Sequence, residues 1–180
     1  NLSDYILDER VKHFPAISET MIFESNYLDN HFFVLLVPRE WSFEQLEAWK
    51  PGGIWTEGAS EHMIISDYEP YGGRKTYAEN VAGGYYAGRL AVCEYLLEKR
   101  RQASAIIFRE IGSDYRIPLG VWQVRENVRN AMKQRPVSFS SHELAFQFLE
   151  KRLSIPFKFW KQKSELIGEM IHQRRITSFM

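Results

Sequence analysis

The chain has 180 residues, 44% hydrophobic, 26% charged and 14% aromatic, with 23 Lys+Arg balanced by 23 Asp+Glu. That length and composition suit one domain with a sizeable core and exclude an intrinsically disordered chain. Cys93 is the only cysteine, which excludes an internal disulfide or a cysteine-cluster zinc site and points to a reducing, cytoplasmic setting.

"ETMIFESN" and "HFFVLLVP" flank the polar "YLDN", which predicts a β-hairpin whose second strand Pro38 closes. In "SFEQLEAWKPGG", Ser42 with Gln45 three residues on has capping-box spacing, and Pro51-Gly52-Gly53 is a stop, so a helix is expected. "HMIISDY" reads as a strand. A glycine-rich loop, "EPYGGRKTYAENVAGGYYAGR", then runs into a helix reaching about Gln102, with Tyr86, Leu90, Cys93 and Leu97 as its apolar stripe.

"ASAIIFREI" has the character of a buried strand. Pro118-Leu119-Gly120 breaks the chain before a helix carrying Val121, Val124, Val128 and Met132 on one face. "VSF" is a short strand, and "SSHELAFQFLEKRL" a helix with a second capping box, Ser140 with Glu143. One last helix is expected from Pro156 to about His172. The sum is an α+β or α/β domain over residues 1–172, a mixed sheet packed by several helices, followed by a flexible tail at 173–180. No apolar run reaches the roughly 18–20 residues of a membrane span, and no signal-peptide pattern precedes the fold. No membrane partner is therefore expected.

Charge is unevenly spread. Residues 1–75 hold 13 acids against 6 bases, and residues 76–180 hold 10 against 17. A basic C-terminal part suits nucleic acid as well as an acidic protein surface. In the glycine-rich loop, Arg74, Lys75 and Arg89 supply charge and Tyr77 and Tyr85 supply ring faces, a combination for a nucleotide or nucleic acid. The loop matches neither a P-loop nor a dinucleotide fingerprint. Asp67 and Glu110, with Arg109, fall at predicted strand ends, where a carboxylate pair suits general acid–base work or a metal ion. The bland alternative is that these acids are matched structurally to arginines. His13, His31, His62, His142 and His172 show no ligand spacing, and Cys93 sits on an apolar stripe. No metal or cofactor is expected.

The last eight residues are "QRRITSFM". Gln173, Ile176, Phe179 and Met180 sit at i, i+3, i+6 and i+7. In a turn of about three residues per revolution they form one apolar plug beside a polar anchor. The spacing resembles the Gln-x-x-aliphatic-x-x-aromatic-aromatic motif that docks repair proteins on the DNA sliding clamp, PCNA. Met180 stands where that motif has a second aromatic.

The runs "SDYEPYGGRKTYAENVAGGYYAGRLAVCEYL" and "FREIGSDYRIPLGVWQVRENVRNAM" resemble the C-terminal domain of the archaeal Nre DNA-repair proteins. The resemblance covers about residues 33–180 and is densest between Ser66 and Met132. It implies a DNA-damage repair role with recruitment to the clamp through Gln173, Ile176, Phe179 and Met180, and places the protein on the cytoplasmic nucleoid. The family's N-terminal region and cysteine zinc finger are expected to be missing, since the chain starts at Asn1 and reads as the C-terminal part of a longer protein. DNA is a second expected partner. Two alternatives stand beside this reading: an enzyme on a nucleotide or nucleic acid using the loop with Asp67, Arg109 and Glu110, and a non-catalytic adaptor domain.

Overall fold

A computed structural model describes residues 2–51, 62–114 and 120–177, with side chains as far as His172. The predicted hairpin forms from β1 (Thr20–Tyr27) and β2 (Asn30–Val37), antiparallel with Tyr27 facing Asn30. Its two-residue turn puts Leu28 and Asp29 at φ 50° and 56°, the left-handed pair that matches strand twist. β3 (Ser42–Trp49), β4 (Met63–Glu69), β5 (Ser104–Ile111) and β6 (Val137–Phe139) complete a sheet ordered β4-β3-β5-β2-β1-β6. Only β3 and β5 pair in parallel among these strands.

Both faces of the sheet are covered, so strand side chains alternate between two cores. On β2, Phe32, Val34 and Leu36 enter the first core, and Phe33, Leu35 and Val37 the second. The first core lies under α1 (Leu2–Glu9), α2 (Gly83–Lys99) and α3 (Val121–Lys133). The second lies under α4 (His142–Arg152), α5 (Phe157–Lys163) and α6 (Glu165–Thr177). All eight residues of β5 are buried, as its continuous apolar run requires of a central strand. The architecture is α+β, three layers deep.

The structure departs from the sequence expectations in several places. Residues 42–49 are a strand, not the helix that capping-box spacing predicts. Ser42 Oγ is 2.7 Å from Ser104 Oγ across the sheet instead of capping anything. "SFEQLEAW" is rich in helix formers, but β4 and β5 offer backbone hydrogen bonds on both sides, and tertiary pairing overrides the weak local preference. The single C-terminal helix is two, because Ser164 ends α5 with extended backbone and its hydroxyl bonds the N–H of Ile167 at the start of α6. Ser141, one residue later than expected, caps α4 by accepting from the Leu144 N–H. Helix α1 and a 3₁₀ turn at Val11–His13 form where the sequence suggested no element.

Candidate functional site

β4 is an edge strand, and the loop that follows it folds back over the first core. Glu69, the last residue of β4, is 2% exposed and accepts from Trp41 Nε1 (2.8 Å), the Tyr85 hydroxyl (2.8 Å) and Arg89 Nε (3.0 Å). Arg89 also reaches Ser3 and Asp4 on α1. Burial alone would weaken the Arg89 charge, but Glu69 and Asp4 hold its pKa above the ordinary value. Burial, then the adjoining Glu69 charge, pushes the Tyr85 hydroxyl well above its usual range, so it stays a donor. Two residues back along β4, Asp67 accepts from the Val81 N–H at 2.7 Å and lies 3.3 Å from Arg74. Arg74 donates in addition to the carbonyls of Tyr68, Thr76 and Tyr77, pinning the loop.

Beside this network is an open cleft of about 610 Å³, lined by Asp4, Lys12, Arg74, Lys75, Tyr77 and Arg89 among others. Tyr77 is exposed and stacks on Tyr86 with ring centroids 4.9 Å apart. Of the five residues assigned to a nucleic-acid or nucleotide contact, Lys75 and Tyr77 face solvent, whereas Tyr85 and Arg89 are buried in the Glu69 network. Arg74 is partly buried and engaged along its whole guanidinium edge.

Asp67, Arg109 and Glu110 do not share a site. Asp67 faces α2 through the Val81 amide, and the Glu110 carboxylate points to the opposite side of the sheet, accepting from the N–H groups of Ser154 and Ile155 after α4. Arg109 returns to the α2 and α3 face. Its guanidinium donates to Asn30 Oδ1 (2.9 and 2.7 Å), to both Glu47 oxygens (3.2 Å) and to Gln123 Oε1 (3.3 Å). The carboxylate pair expected from the sequence is therefore split by the two-residue period of the strands, which sends Arg109 and Glu110 to opposite faces.

The glycines of "AGGYYAG" serve packing. A Cβ on Gly88 would overlap the Gln45 amide oxygen and stand 2.8 Å from Ile107, and one on Gly84 would lie 3.1 Å from Glu47. Gly84 and Gly88 let α2 settle on buried polar side chains of β3. Sequence reading missed Glu44, Glu47 and Glu69 as interior residues: the first two stand in a run read as helical, where acids look like a solvated face, and Glu69 opens the stretch read as a glycine-rich loop. A strand reading of "SFEQLEAW" would have marked Glu47 as one of two alternating faces.

α6 packs Leu166, Ile167 and Met170 into the second core, while Ile171 and His172 are exposed. The helical backbone continues to Thr177, which puts Gln173 and Ile176 three residues apart on one helix. The side chains of Gln173 and Ile176, and all of Phe179 and Met180, lie outside the described residues. Among the described residues no three His, Cys, Asp or Glu are grouped to hold a metal ion, and no helix is long and apolar enough to cross a membrane.

These features define a three-layer α+β domain with a loop-covered edge strand and a helical C-terminal extension. Residues 2–56 match the family profile described as Archaeal Nre, N-terminal, and residues 69–179 match Archaeal Nre, C-terminal. The chain belongs to the archaeal Nre family. It is 36% identical over 179 residues to DNA repair protein NreB of Archaeoglobus fulgidus, covering 99% of this chain and 45% of that protein. Identity to NreA of the same organism is 39%, over 82% of this chain and 38% of the relative. Identity to NreA of Haloferax volcanii is also 39%, over 69% and 30% respectively. The chain thus spans less than half the length of each of these relatives. No solved structure matches.

The match over residues 2–56 corrects the expectation that the family's N-terminal region is missing. β1, β2 and β3 come from that region, β5 and β6 from the C-terminal one, and β5 pairs with both β2 and β3. Sequence segments described as two regions close a single sheet.

Proposed function

We propose that this chain acts in DNA-damage repair and is recruited to the DNA sliding clamp by its C-terminal residues Gln173, Ile176, Phe179 and Met180. The relatives carry the name DNA repair protein, which supports the repair half of this reading. The observation that carries the tethering half is the position of the motif. Among the described residues Met170 is the last core contact of α6, the helix runs on to Thr177, and the family match continues to residue 179. Apolar residues at this spacing near a chain end suit a groove on a partner. A pull-down with clamp protein tests it: the full chain is retained and a chain ending at His172 is not. Equal retention of both chains would sink the reading.

The cleft beside Lys75 and Tyr77 favours nucleic acid as a second partner. An exposed tyrosine stacked on another ring offers a face to a base, and Lys75 has no ion-pair partner among the described residues. Tyr77→Ala and Lys75→Glu should each weaken binding of a labelled single strand in fluorescence anisotropy. Unchanged binding in both variants would remove the cleft from the interface.

A further inference from the structure

The cleft beside the Glu69 network has walls from three distant parts of the chain. α2 supplies Tyr86 and Arg89, α1 and the 3₁₀ turn supply Asp4, Asp8 and Lys12, and the loop after β4 supplies residues 72–77. Its volume of about 610 Å³ falls within the range of small-molecule sites, roughly 300–1,000 Å³. Gly72 and Gly73 leave part of the loop wall bare, and a Cβ on either would meet nothing within 4 Å. The aromatic wall is fixed by its own contacts. The Tyr86 hydroxyl accepts from the Ala78 N–H at 3.0 Å, and Tyr77, the neighbour of Ala78, stacks on the Tyr86 ring. A ring positioned in this way offers its face at little entropic cost.

Arg89 sets what the interior recognises. Its side chain is 6% exposed and lines the cleft. Nε donates to Glu69 and Nη1 to Ser3 and Asp4, whereas Nη2 has no hydrogen-bond partner among the described residues. A guanidinium keeps its charge, so Nη2 is a fixed donor with room for an acceptor. Charge decides which acceptor. Around Arg89, Asp4, Asp8 and Glu69 stand against Lys12 and Arg89 itself, three acids to two bases. A phosphate there would meet a wall that is negative on balance. The carbonyl or ring nitrogen of a nucleobase is a neutral acceptor and escapes that repulsion. On the loop side the balance is reversed, because Lys75 is exposed and has no ion-pair partner among the described residues. A phosphate suits that rim.

We infer that the cleft takes one unstacked nucleotide, its base inside against Tyr77 and hydrogen-bonded to Arg89 Nη2, its phosphate outside at Lys75, which extends the reading of this cleft as a nucleic-acid contact and rests on it. Stacking on an aromatic ring joined to a hydrogen bond at the base edge is how proteins hold a base that has left its stack. A free mononucleotide and a base turned out of a duplex present the same groups.

Calorimetric titration of the chain with deoxyadenosine monophosphate, deoxyadenosine and inorganic phosphate, each at the same ionic strength, tests the site. The nucleotide should bind saturably, the nucleoside about tenfold more weakly, and phosphate alone without saturation. Tyr77→Leu, at an exposed position, should weaken nucleotide binding about tenfold and leave the melting temperature unchanged. Arg89→Lys keeps the charge opposite Glu69 but lacks the third donor, and should weaken binding by a similar factor. Should that variant fail to fold, the unaltered chain answers the same question with 2-aminopurine deoxynucleotide: a base inside the cleft is shielded from acrylamide quenching. Tighter binding of a duplex with one unpaired 2-aminopurine than of the fully paired duplex identifies an extruded base; equal binding of the two, with nucleotide binding intact, identifies the free mononucleotide. Phosphate bound as tightly as the nucleotide, or 2-aminopurine quenched as in free solution, overturns the inference. Absent mononucleotide binding, with strand binding still dependent on Tyr77 and Lys75, sinks it and leaves the broader reading of the cleft standing. Strand binding indifferent to both residues sinks the two together.

Discussion

Glu69 at the end of β4 and Arg89 in the second turn of α2 form a buried ion pair 3.0 Å long, with side chains 2% and 6% exposed. The pair clamps the edge strand, the loop and the helix together, and Trp41 and Tyr85 complete the shell around the carboxylate. Removing one partner of such a pair leaves an uncompensated buried charge. Glu69→Ala should destabilise the domain by about 3–5 kcal/mol, read from urea denaturation midpoints. Glu69→Gln, which keeps an acceptor for Trp41, should lose less. Equal loss in the two variants would show that charge contributes nothing.

Gly88→Ala should destabilise, because its Cβ meets Gln45 and Ile107 where α2 lies on the sheet. Overpacking of this kind costs about 1–3 kcal/mol. Gly168→Ala is the control. It sits inside α6 with nothing within 4 Å of its Cβ, and the gain in helix propensity should stabilise by about 0.5–1 kcal/mol. Thermal unfolding of the two variants should therefore shift in opposite directions.

Glu44, inside the second core, accepts from the Ser164 hydroxyl and the N–H groups of Glu165 and Leu166, closing the start of α6. Burial outweighs these bonds and raises its pKa to about 7 from an ordinary value of 4.5. A raised carboxylate pKa means that the folded state binds the proton more tightly. Its contribution to stability is most favourable below pH 4.5, falls as pH rises from about 4.5 to about 7, and is level above that. Glu44→Gln should flatten this part of the stability profile by up to one proton, measured as denaturation free energy between pH 5 and 7. An unchanged slope would mean that Glu44 is ionised throughout.

Phe179→Ala should weaken clamp binding by about 2–4 kcal/mol, or about thirtyfold and beyond, as expected of an aromatic anchor emptied from its pocket. The melting temperature of the free domain should not move. Calorimetry with the cognate clamp decides the matter, and a lowered melting temperature with unchanged affinity would assign Phe179 to the fold.

The runs whose environment is uniform along their length were legible in the sequence. "HFFVLLV" and "AIIF" are apolar on both faces, so central strands follow whatever packs on them, and the helical faces at Val124, Val128 and Met132 follow from a single period. What the order of residues left open was every polar side chain that the tertiary structure buries. Glu44 and Glu47 look like solvated helix residues, and Glu69 like the start of a loop, until the sheet brings Ser164, Arg109 and Arg89 to them across at least twenty residues of chain. Whether "SFEQLEAW" forms a strand depends on β4 and β5 lying on either side of it. Burying an acid is unfavourable until its partners are in place, and those partners are set by the packing of the whole domain, not by the acid's sequence neighbours.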